Sequence, residues 1–270
     1  MLETIGWTPD LARAAADGGS VGRVARVDRG LASVLTEAGP LWVSFGGAVL
    51  SGMAESPLTG PCTGDWVLIR DWPDRRSTLE RVLPRRTTVV LAAGGGQSHG
   101  ELLCANVDVV ALVVAVHPLP VLSEVERLVA LAWRSGARPA VVLTKADLVT
   151  DARQVARDVS SATPGVEVVI ASTRTGEGVD TVREWVDNRL TLALLGASGH
   201  GKSTLTNALV GVGVLRTRDL RADGRGRHSS VRRELVPLPG GGAVIDGPGL
   251  RGVELVHGGP APAEKRLSRR

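Results

Sequence analysis

A glycine-rich segment in the last third of the chain has the residue types and spacing of a phosphate-binding loop. Residues 196–203 read GASGHGKS, which fits the pattern G-x-x-x-x-G-K-[ST]. The glycines let successive backbone N–H groups face one anion, and the dipole of the following helix adds to the attraction. We expect Lys202 to reach the β- and γ-phosphates of a nucleotide and Ser203 to bind Mg²⁺ through its hydroxyl. The nucleotide contacts predicted from this segment are Gly196, Ala197, Ser198, Gly199, His200, Gly201, Lys202, Ser203 and Thr204.

The side chain of His200 is expected to point outward, because such a loop contributes mainly backbone groups at that position.

A carboxylate that could complete a metal site lies downstream of this loop. Residues 243–249 read AVIDGPG, which places Asp246 at the end of an apolar run and before a turn. In phosphate-loop hydrolases such an acid holds Mg²⁺ through water, and the N–H of the next residue, here Gly247, can contact the γ-phosphate. An ordinary Asp-Gly turn is the alternative interpretation, but the upstream loop favours the functional one. We count Lys202, Asp246 and Gly249 as candidate catalytic residues.

A second motif has the chemistry needed to read a guanine base. Residues 144–147 read TKAD, which resembles the pattern [NT]-K-x-D. The Asp147 carboxylate can accept hydrogen bonds from both N1–H and the exocyclic amine of guanine, a pair of donors that adenine lacks. Lys145 would lay its aliphatic stem over the base. Asn usually stands at the position of Thr144, which lacks the amide that would tie this loop to the phosphate loop. We expect this departure to weaken affinity without removing the choice of guanine. A helix cap at Asp147 is the alternative interpretation.

The loop after the next apolar run could close over the base. Residues 170–178 read IASTRTGEG and look like an S-A-x-x-G-x-G segment, which predicts that Ser172 and Thr173 contact guanine. In ordinary GTPases the phosphate loop precedes the base-reading motifs, whereas here it follows them. A circular permutation can preserve the same site, because sheet packing does not depend on where the termini are cut.

The elements that must position these motifs show two patterns. Apolar runs alternate with helical-period segments after residue 100, which predicts a mostly parallel sheet with helices on both faces. In the part of the chain before residue 92, short alternating segments separated by turn residues predict an OB-like antiparallel β-barrel of about five strands. The predicted organisation is a helical extension at 1–20, a barrel at 21–91, a linker at 92–100, a circularly permuted α/β P-loop GTPase domain at 101–257 and a basic tail at 258–270.

A barrel of this kind suits oligonucleotide binding. Its aromatic residues Trp42, Phe45, Trp66 and Trp72 are expected mostly in the core rather than as platforms for bases. Basic residues are the better candidates for phosphate contacts, although a solvated charged rim is an equal alternative: Arg75, Arg76, Arg85 and Arg86.

Composition limits the class of protein. The net charge of +4 and the pI near 9.8 permit an anionic partner such as RNA without requiring one. Cys62 and Cys104 lack the spacing of a zinc site and are expected as buried thiols in a reducing compartment. No apolar run approaches the roughly 20 residues of a membrane span, and no secretory signal is recognisable. We expect a cytoplasmic monomer with no membrane contact.

The motif order and the barrel together resemble the circularly permuted RsgA (YjeQ) family of GTPases that depend on the small ribosomal subunit. The matching segments are GDWV at 64–67, LPRRT at 83–87, ANVD at 105–108, LTKADL at 143–148 and GRHSS at 226–230. The resemblance implies a factor that binds the small ribosomal subunit and its rRNA late in maturation. Such a factor binds GTP and GDP with Mg²⁺ and hydrolyses GTP on release.

The same resemblance assigns roles to the GRHSS segment. Ser229 or Ser230 would supply a switch hydroxyl to Mg²⁺, and His228 would help to position or activate the attacking water. A surface contact to phosphate or RNA is an equal alternative for His228. Leu250 follows the Asp-Gly-Pro-Gly turn where a water-orienting Gln could stand, so catalysis must draw on the backbone, on His228 or on the ribosome.

The resemblance does not extend to the zinc-binding domain that normally forms the C-terminal part of this family's members. This sequence stops at Arg270 without the Cys/His ligands, so no zinc is expected, and natural loss or truncation are both open. The absence of that domain motivates a second hypothesis, a nucleotide-gated RNA- or ribosome-binding module with little or no turnover. A P-loop kinase or ATPase would leave residues 144–147 unexplained.

Overall fold

The computed structural model describes residues 1–16, 18–91, 100–211 and 233–249. Its N-terminal part begins with the 3₁₀ turn Leu2–Ile5 and helix α1 (Pro9–Ala14). The Thr8 side chain accepts a hydrogen bond from the Leu11 N–H, and proline occupies the first helical turn, so both residues favour a helix start here.

The next segments form a closed five-stranded barrel, which confirms the OB-like prediction. Its strands are β1 (Ser20–Asp28), β2 (Leu31–Thr36), β3 (Gly39–Phe45), β4 (Trp66–Asp71) and β5 (Ser77–Val82), in the order β1-β2-β3-β5-β4. Helix α2 (Gly47–Glu55) lies between β3 and β4 in sequence. Alternate strand residues fill the interior because successive side chains point to opposite faces: Val24, Val34, Val43, Ile69 and Leu79.

A six-stranded sheet follows the barrel. Between the barrel and this sheet, β6 (Thr88–Leu91) and β7 (Glu101–Ala105) form a separate two-stranded sheet. Strand β6 therefore pairs outside the barrel, although the sequence predicts a barrel that extends to residue 91. The strands of the large sheet are β8 (Val109–Ala115), β9 (Arg138–Thr144), β10 (Glu167–Ile170), β11 (Thr191–Gly196), β12 (Glu234–Pro237) and β13 (Ala243–Gly249). Their order is β10-β9-β8-β11-β13-β12, and only β12 runs antiparallel to its neighbour.

Helices cover both faces of this sheet. They are α3 (Leu122–Arg134), α4 (Ala152–Ala162), α5 (Val179–Glu184) and α6 (Lys202–Val210). Alternate residues of β8 belong to two different clusters: Val110 and Leu112 pack with α3 and α4, while Ala111 and Val113 pack with α5 and α6. Strands without a polar face are therefore buried on both sides, as the apolar runs predict.

One helix is shorter than its periodicity predicts. Apolar residues recur at helical spacing over residues 179–189 of the sequence and predict a helix there, but α5 ends at Glu184 and a 3₁₀ turn, Asp187–Arg189, follows. Asn188 and Arg189 have left-handed backbone (φ 63° and 70°), so an α-helix cannot extend to residue 189. Among the described residues, no helix has the length and apolar character needed to cross a membrane.

A buried polar junction joins the barrel to the large sheet. The Arg23 guanidinium donates hydrogen bonds to the backbone carbonyls of Ile5, Gly64 and Asn106, and burial lowers its pKa to about 10. Gly64 has φ +96°, and a Cβ atom there would lie 2.1 Å from the Ala105 carbonyl oxygen. Only glycine fits at this position, because any side chain would displace β7.

Candidate nucleotide-binding site

The predicted site residues in the described part of the chain meet at one edge of the large sheet. Residues 144–147, 172–173, 196–203 and 246–249 follow or end β9, β10, β11 and β13, which run parallel. Their carboxyl ends therefore share one edge, the usual place for a ligand in an open α/β sheet. The permuted motif order thus leaves the motifs adjacent in space.

The backbone of the phosphate loop is built on glycines. Gly196 ends β11 with φ +152°, and a Cβ atom there would lie 2.2 Å from the Val113 carbonyl oxygen. Gly199 (φ 84°) and Gly201 (φ 92°) also adopt left-handed backbone, and α6 starts directly afterwards. The chain therefore turns sharply into the helix, whose first N–H groups lack partners within the helix and can bind an anion.

Lys202 is held over this loop. Its Nζ donates hydrogen bonds to the carbonyl oxygens of Gly196 and Ala197, both at 3.0 Å. The side chain is buried, and this burial lowers its pKa. An ammonium has three N–H donors, so one remains for a phosphate oxygen.

Ser203 and Asp246 form the predicted metal pair. The Ser203 Oγ donates to Asp246 Oδ2 at 2.7 Å, and the other oxygen, Oδ1, is buried with no hydrogen-bond partner among the described residues. Burial raises the pKa of Asp246. A buried carboxylate oxygen without a partner is costly, and Mg²⁺ with its waters would satisfy it. The donor set, one hydroxyl and one carboxylate, therefore fits Mg²⁺.

The backbone of residues 246–249 runs beside the phosphate loop. β13 pairs with β11 so that Leu194 lies opposite Asp246 and Gly196 lies opposite Gly249. At Gly247 a Cβ atom would lie 2.3 Å from the Leu194 carbonyl oxygen, so the close strand contact requires glycine.

The base-reading motif lies at the end of β9. Lys145 adopts a left-handed backbone (φ 60°), and Asp147 sits in the short 3₁₀ turn Ala146–Leu148. Asp147 accepts hydrogen bonds from Ser172 Oγ and Arg174 Nε, each at 2.7 Å. The Ser172 bond foremost, and then the Arg174 bond, lowers the pKa of Asp147. The carboxylate is therefore ionised at neutral pH. This is the form that could accept both N1–H and the exocyclic amine of a guanine base.

Thr144 ties the base loop to the phosphate loop although it lacks the amide that usually stands here. Its hydroxyl donates to the carbonyl oxygen of His200 at 2.6 Å. The two loops approach closely, since a Cβ atom on Gly201 would lie 3.8 Å from the Thr144 Oγ1. A short hydroxyl can therefore make the bond for which a longer amide is usual.

His200 also differs from its prediction. Its ring is half-buried instead of pointing outward, and Nδ1 lies 3.1 Å from the Val113 carbonyl oxygen at the end of β8. Burial lowers the pKa of this imidazole. The ring packs inward because the carbonyl of β8 offers an acceptor directly beneath the loop.

The remaining predicted contacts are more exposed. Thr173 lies in the loop that begins at Ser172, where the Gly176 N–H donates to the Ser172 carbonyl. Ser198, Gly199 and Thr204 are also exposed at the outer side of the phosphate loop and α6. His228, Ser229, Ser230 and Leu250 lie outside the described residues. Arg174 was not selected from the sequence, although it is an arginine two residues after the predicted base contact Ser172.

The aromatic and basic residues of the barrel lie in different environments. Trp66 and Phe45 are buried as expected, but Trp42 is 49% exposed, with the Arg26 guanidinium 5.1 Å from its ring centroid. Arg85 is no surface phosphate contact: it forms a two-point ion pair with the buried Asp65 and donates to the carbonyls of Leu58 and Gly60.

The other aromatic and basic candidates on the barrel lie nearer the surface. Trp72 is half-buried against Arg70, whose guanidinium lies 4.0 Å from its ring. Arg86 and Arg76 pair with Asp108 and Asp74, and Arg75 is exposed.

The fold and the assembled site define a circularly permuted P-loop GTPase. Two solved structures share the fold. One, the crystal structure of YjeQ from Thermotoga maritima, has a TM-score of 0.62 and 24% identity and covers 87% of this chain and 77% of its own. The other, YloQ, described as a circularly permuted GTPase, has a TM-score of 0.56 and 19% identity, with coverages of 88% and 74%.

Sequence comparison places the chain in a family. Residues 82–256 match the RsgA GTPase family. The protein named small ribosomal subunit biogenesis GTPase RsgA from Streptomyces coelicolor is 44% identical over 266 residues, which are 96% of this chain and 71% of that protein. Its namesake from Streptomyces avermitilis is 44% identical over 255 residues, 92% and 67% of the two chains. The chain belongs to the RsgA GTPase family and is a GTPase.

Proposed function

We propose that this chain binds GTP and GDP with Mg²⁺ and hydrolyses GTP during maturation of the small ribosomal subunit. The proposal that the chain binds and hydrolyses GTP rests on one observation. Thr144 connects the base loop around Asp147 to the phosphate loop, so the two parts of a nucleotide site lie together. The names of the Streptomyces relatives support the ribosomal part, because both describe small-subunit biogenesis.

Each group at the sheet edge has a proposed part in hydrolysis. The phosphate-loop N–H groups and Lys202 hold the β- and γ-phosphates and neutralise charge that develops during transfer. Mg²⁺, bound by Ser203 and through water by Asp246, would supply the remaining positive charge at those phosphates. We propose that the N–H groups of Gly247 and Gly249 contact the γ-phosphate, because the pairing of β13 with β11 brings residues 246–249 beside the phosphate loop.

The residues outside the described ranges keep the roles that the family resemblance implies. We propose that Ser229 or Ser230 supplies a hydroxyl to Mg²⁺ and that His228 positions or activates the attacking water. At the base, Asp147 reads guanine, Lys145 covers its plane, and Ser172 and Thr173 close the loop over it.

We propose rRNA of the small subunit as the partner of the barrel. Trp42 is 49% exposed and can therefore stack a base. The neighbouring Arg26, whose guanidinium lies 5.1 Å from the ring centroid, already pairs with Asp28, so base stacking is the contact that supports this proposal. Stacking needs no sequence-specific hydrogen bonds. We further propose that the chain acts as a monomer in the cytoplasm, without membrane contact.

Phosphate release measured with and without small ribosomal subunits tests the function. We expect turnover of GTP, not of ATP, and stimulation by the subunits. Equal turnover of ATP would contradict the guanine assignment. Absence of turnover at saturating subunit concentration would contradict the hydrolase proposal and favour a nucleotide-gated binding module.

A further inference from the structure

The base-reading carboxylate has two partners that approach it from different sides. Ser172 is fully buried, and its Oγ donates to Asp147 Oδ1 from within the protein. Arg174 donates from Nε to Oδ2 at 2.7 Å, and its side chain is 71% exposed, compared with 12% for Asp147. Arg174 therefore covers the carboxylate from the solvent side, which is the side from which a base must arrive.

The chemistry of this covering group matches that of the expected base. The edge of guanine that a carboxylate reads consists of N1–H and the exocyclic amine, both attached to C2, which makes it a guanidine unit. An arginine side chain presents the same unit, with Nε–H and Nη–H donors on one carbon, and it suits carboxylates for that reason. Asp147 is thus paired with a group that has the same donors as its proposed ligand.

We propose that Arg174 competes with guanine for Asp147 and so limits how fast and how tightly guanine nucleotides bind. This inference rests on the proposed role of Asp147 as the base reader. When a base arrives, Arg174 returns to water, which costs little because its side chain is already mostly solvated.

The exposure of the pair sets the size of the effect. Exposed ion pairs are weak and screened by salt, so we expect competition to reduce affinity by about two- to fivefold at low ionic strength. The same contact would also keep the base loop closed in the absence of nucleotide, since Arg174 and Ser172 belong to one turn.

Stopped-flow binding of a fluorescent GDP to the full chain tests the proposal. Arg174→Ala should accelerate association or lower Kd about two- to fivefold at low salt, with a smaller gain at high salt. Arg153→Ala is the control, because Arg153 is an exposed arginine on α4 and its replacement changes the net charge by the same one unit. Unchanged binding in Arg174→Ala overturns the proposal. Weaker binding overturns it as well, since it would make Arg174 a contact of the ligand.

A second variant separates this inference from the proposed function. If Asp147→Asn leaves GDP affinity unchanged, the base-reading role itself fails. If Asp147→Asn transfers preference to xanthosine diphosphate while Arg174→Ala has no effect on GDP binding, only the competition fails. In the double variant, Arg174→Ala should give no further acceleration of xanthosine diphosphate binding, because the carboxylate that holds Arg174 is gone.

Discussion

The hydroxyl of Thr144 provides a measurable link between the base loop and the phosphate loop. Thr144→Val keeps the shape of the side chain but removes the donor that bonds to the His200 carbonyl at 2.6 Å. The position is 5% exposed, so water cannot readily replace the bond. A neutral hydrogen bond of this kind contributes about 1 kcal/mol. If the bond orders the phosphate loop for binding, that energy corresponds to about a fivefold increase in the Kd for GDP.

A matched control is available in the same domain. The Thr163 hydroxyl also donates to a backbone carbonyl, that of Val159 at 2.8 Å, and the residue is 3% exposed at the end of α4. Thr163→Val should lower the free energy of unfolding by a similar amount, about 1 kcal/mol, without changing the Kd for GDP. Equilibrium titration with a fluorescent GDP and denaturant unfolding measure the two quantities. If Thr144→Val destabilises the fold but binds GDP as tightly as the parent chain, the link plays no part in nucleotide binding.

Two further changes test the metal pair and the barrel junction. Because burial raises the pKa of Asp246, the nucleotide-free, Mg²⁺-free chain should lose stability as pH rises through that pKa. In Asp246→Asn, the thermal unfolding temperature should no longer fall between acidic and neutral pH in this way, and Mg²⁺-dependent GTP binding should be lost. An unchanged pH dependence of the unfolding temperature would show that the Asp246 carboxylate is not its source. Gly64→Ala should destabilise the fold far more than Gly30→Ala, because both have positive φ but only Gly64 meets a carbonyl, at 2.1 Å. Equal losses, each near 1 kcal/mol, would show that the junction adapts.

The sequence predicts the α/β fold, the barrel and the motif positions because these depend on local patterns. Runs such as β8 and β11 have no polar face, which is typical of the central strands of a covered parallel sheet. Glycine spacing at 196–201 defines a phosphate loop for the same local reason.

Some features of the site and the barrel could not be predicted from the sequence, because they depend on contacts between segments that are far apart in the chain. Thr144 and His200 are 56 residues apart, so the compensation of a missing amide by a hydroxyl is visible only when both loops are placed. Likewise, Arg85 looks like any surface arginine until its buried partner Asp65 is seen. The exposure of Trp42 also depends on which barrel face its strand presents.

We propose that Asp147 selects guanine within a working GTPase site. The most direct measurement is the nucleotide preference of Asp147→Asn, determined as kcat/KM for GTP and for xanthosine triphosphate. We expect a loss of GTP turnover together with a gain for the xanthosine nucleotide, whose C2 carbonyl can accept from the new amide. Retention of the parent kcat/KM for GTP would show that Asp147 does not select the base.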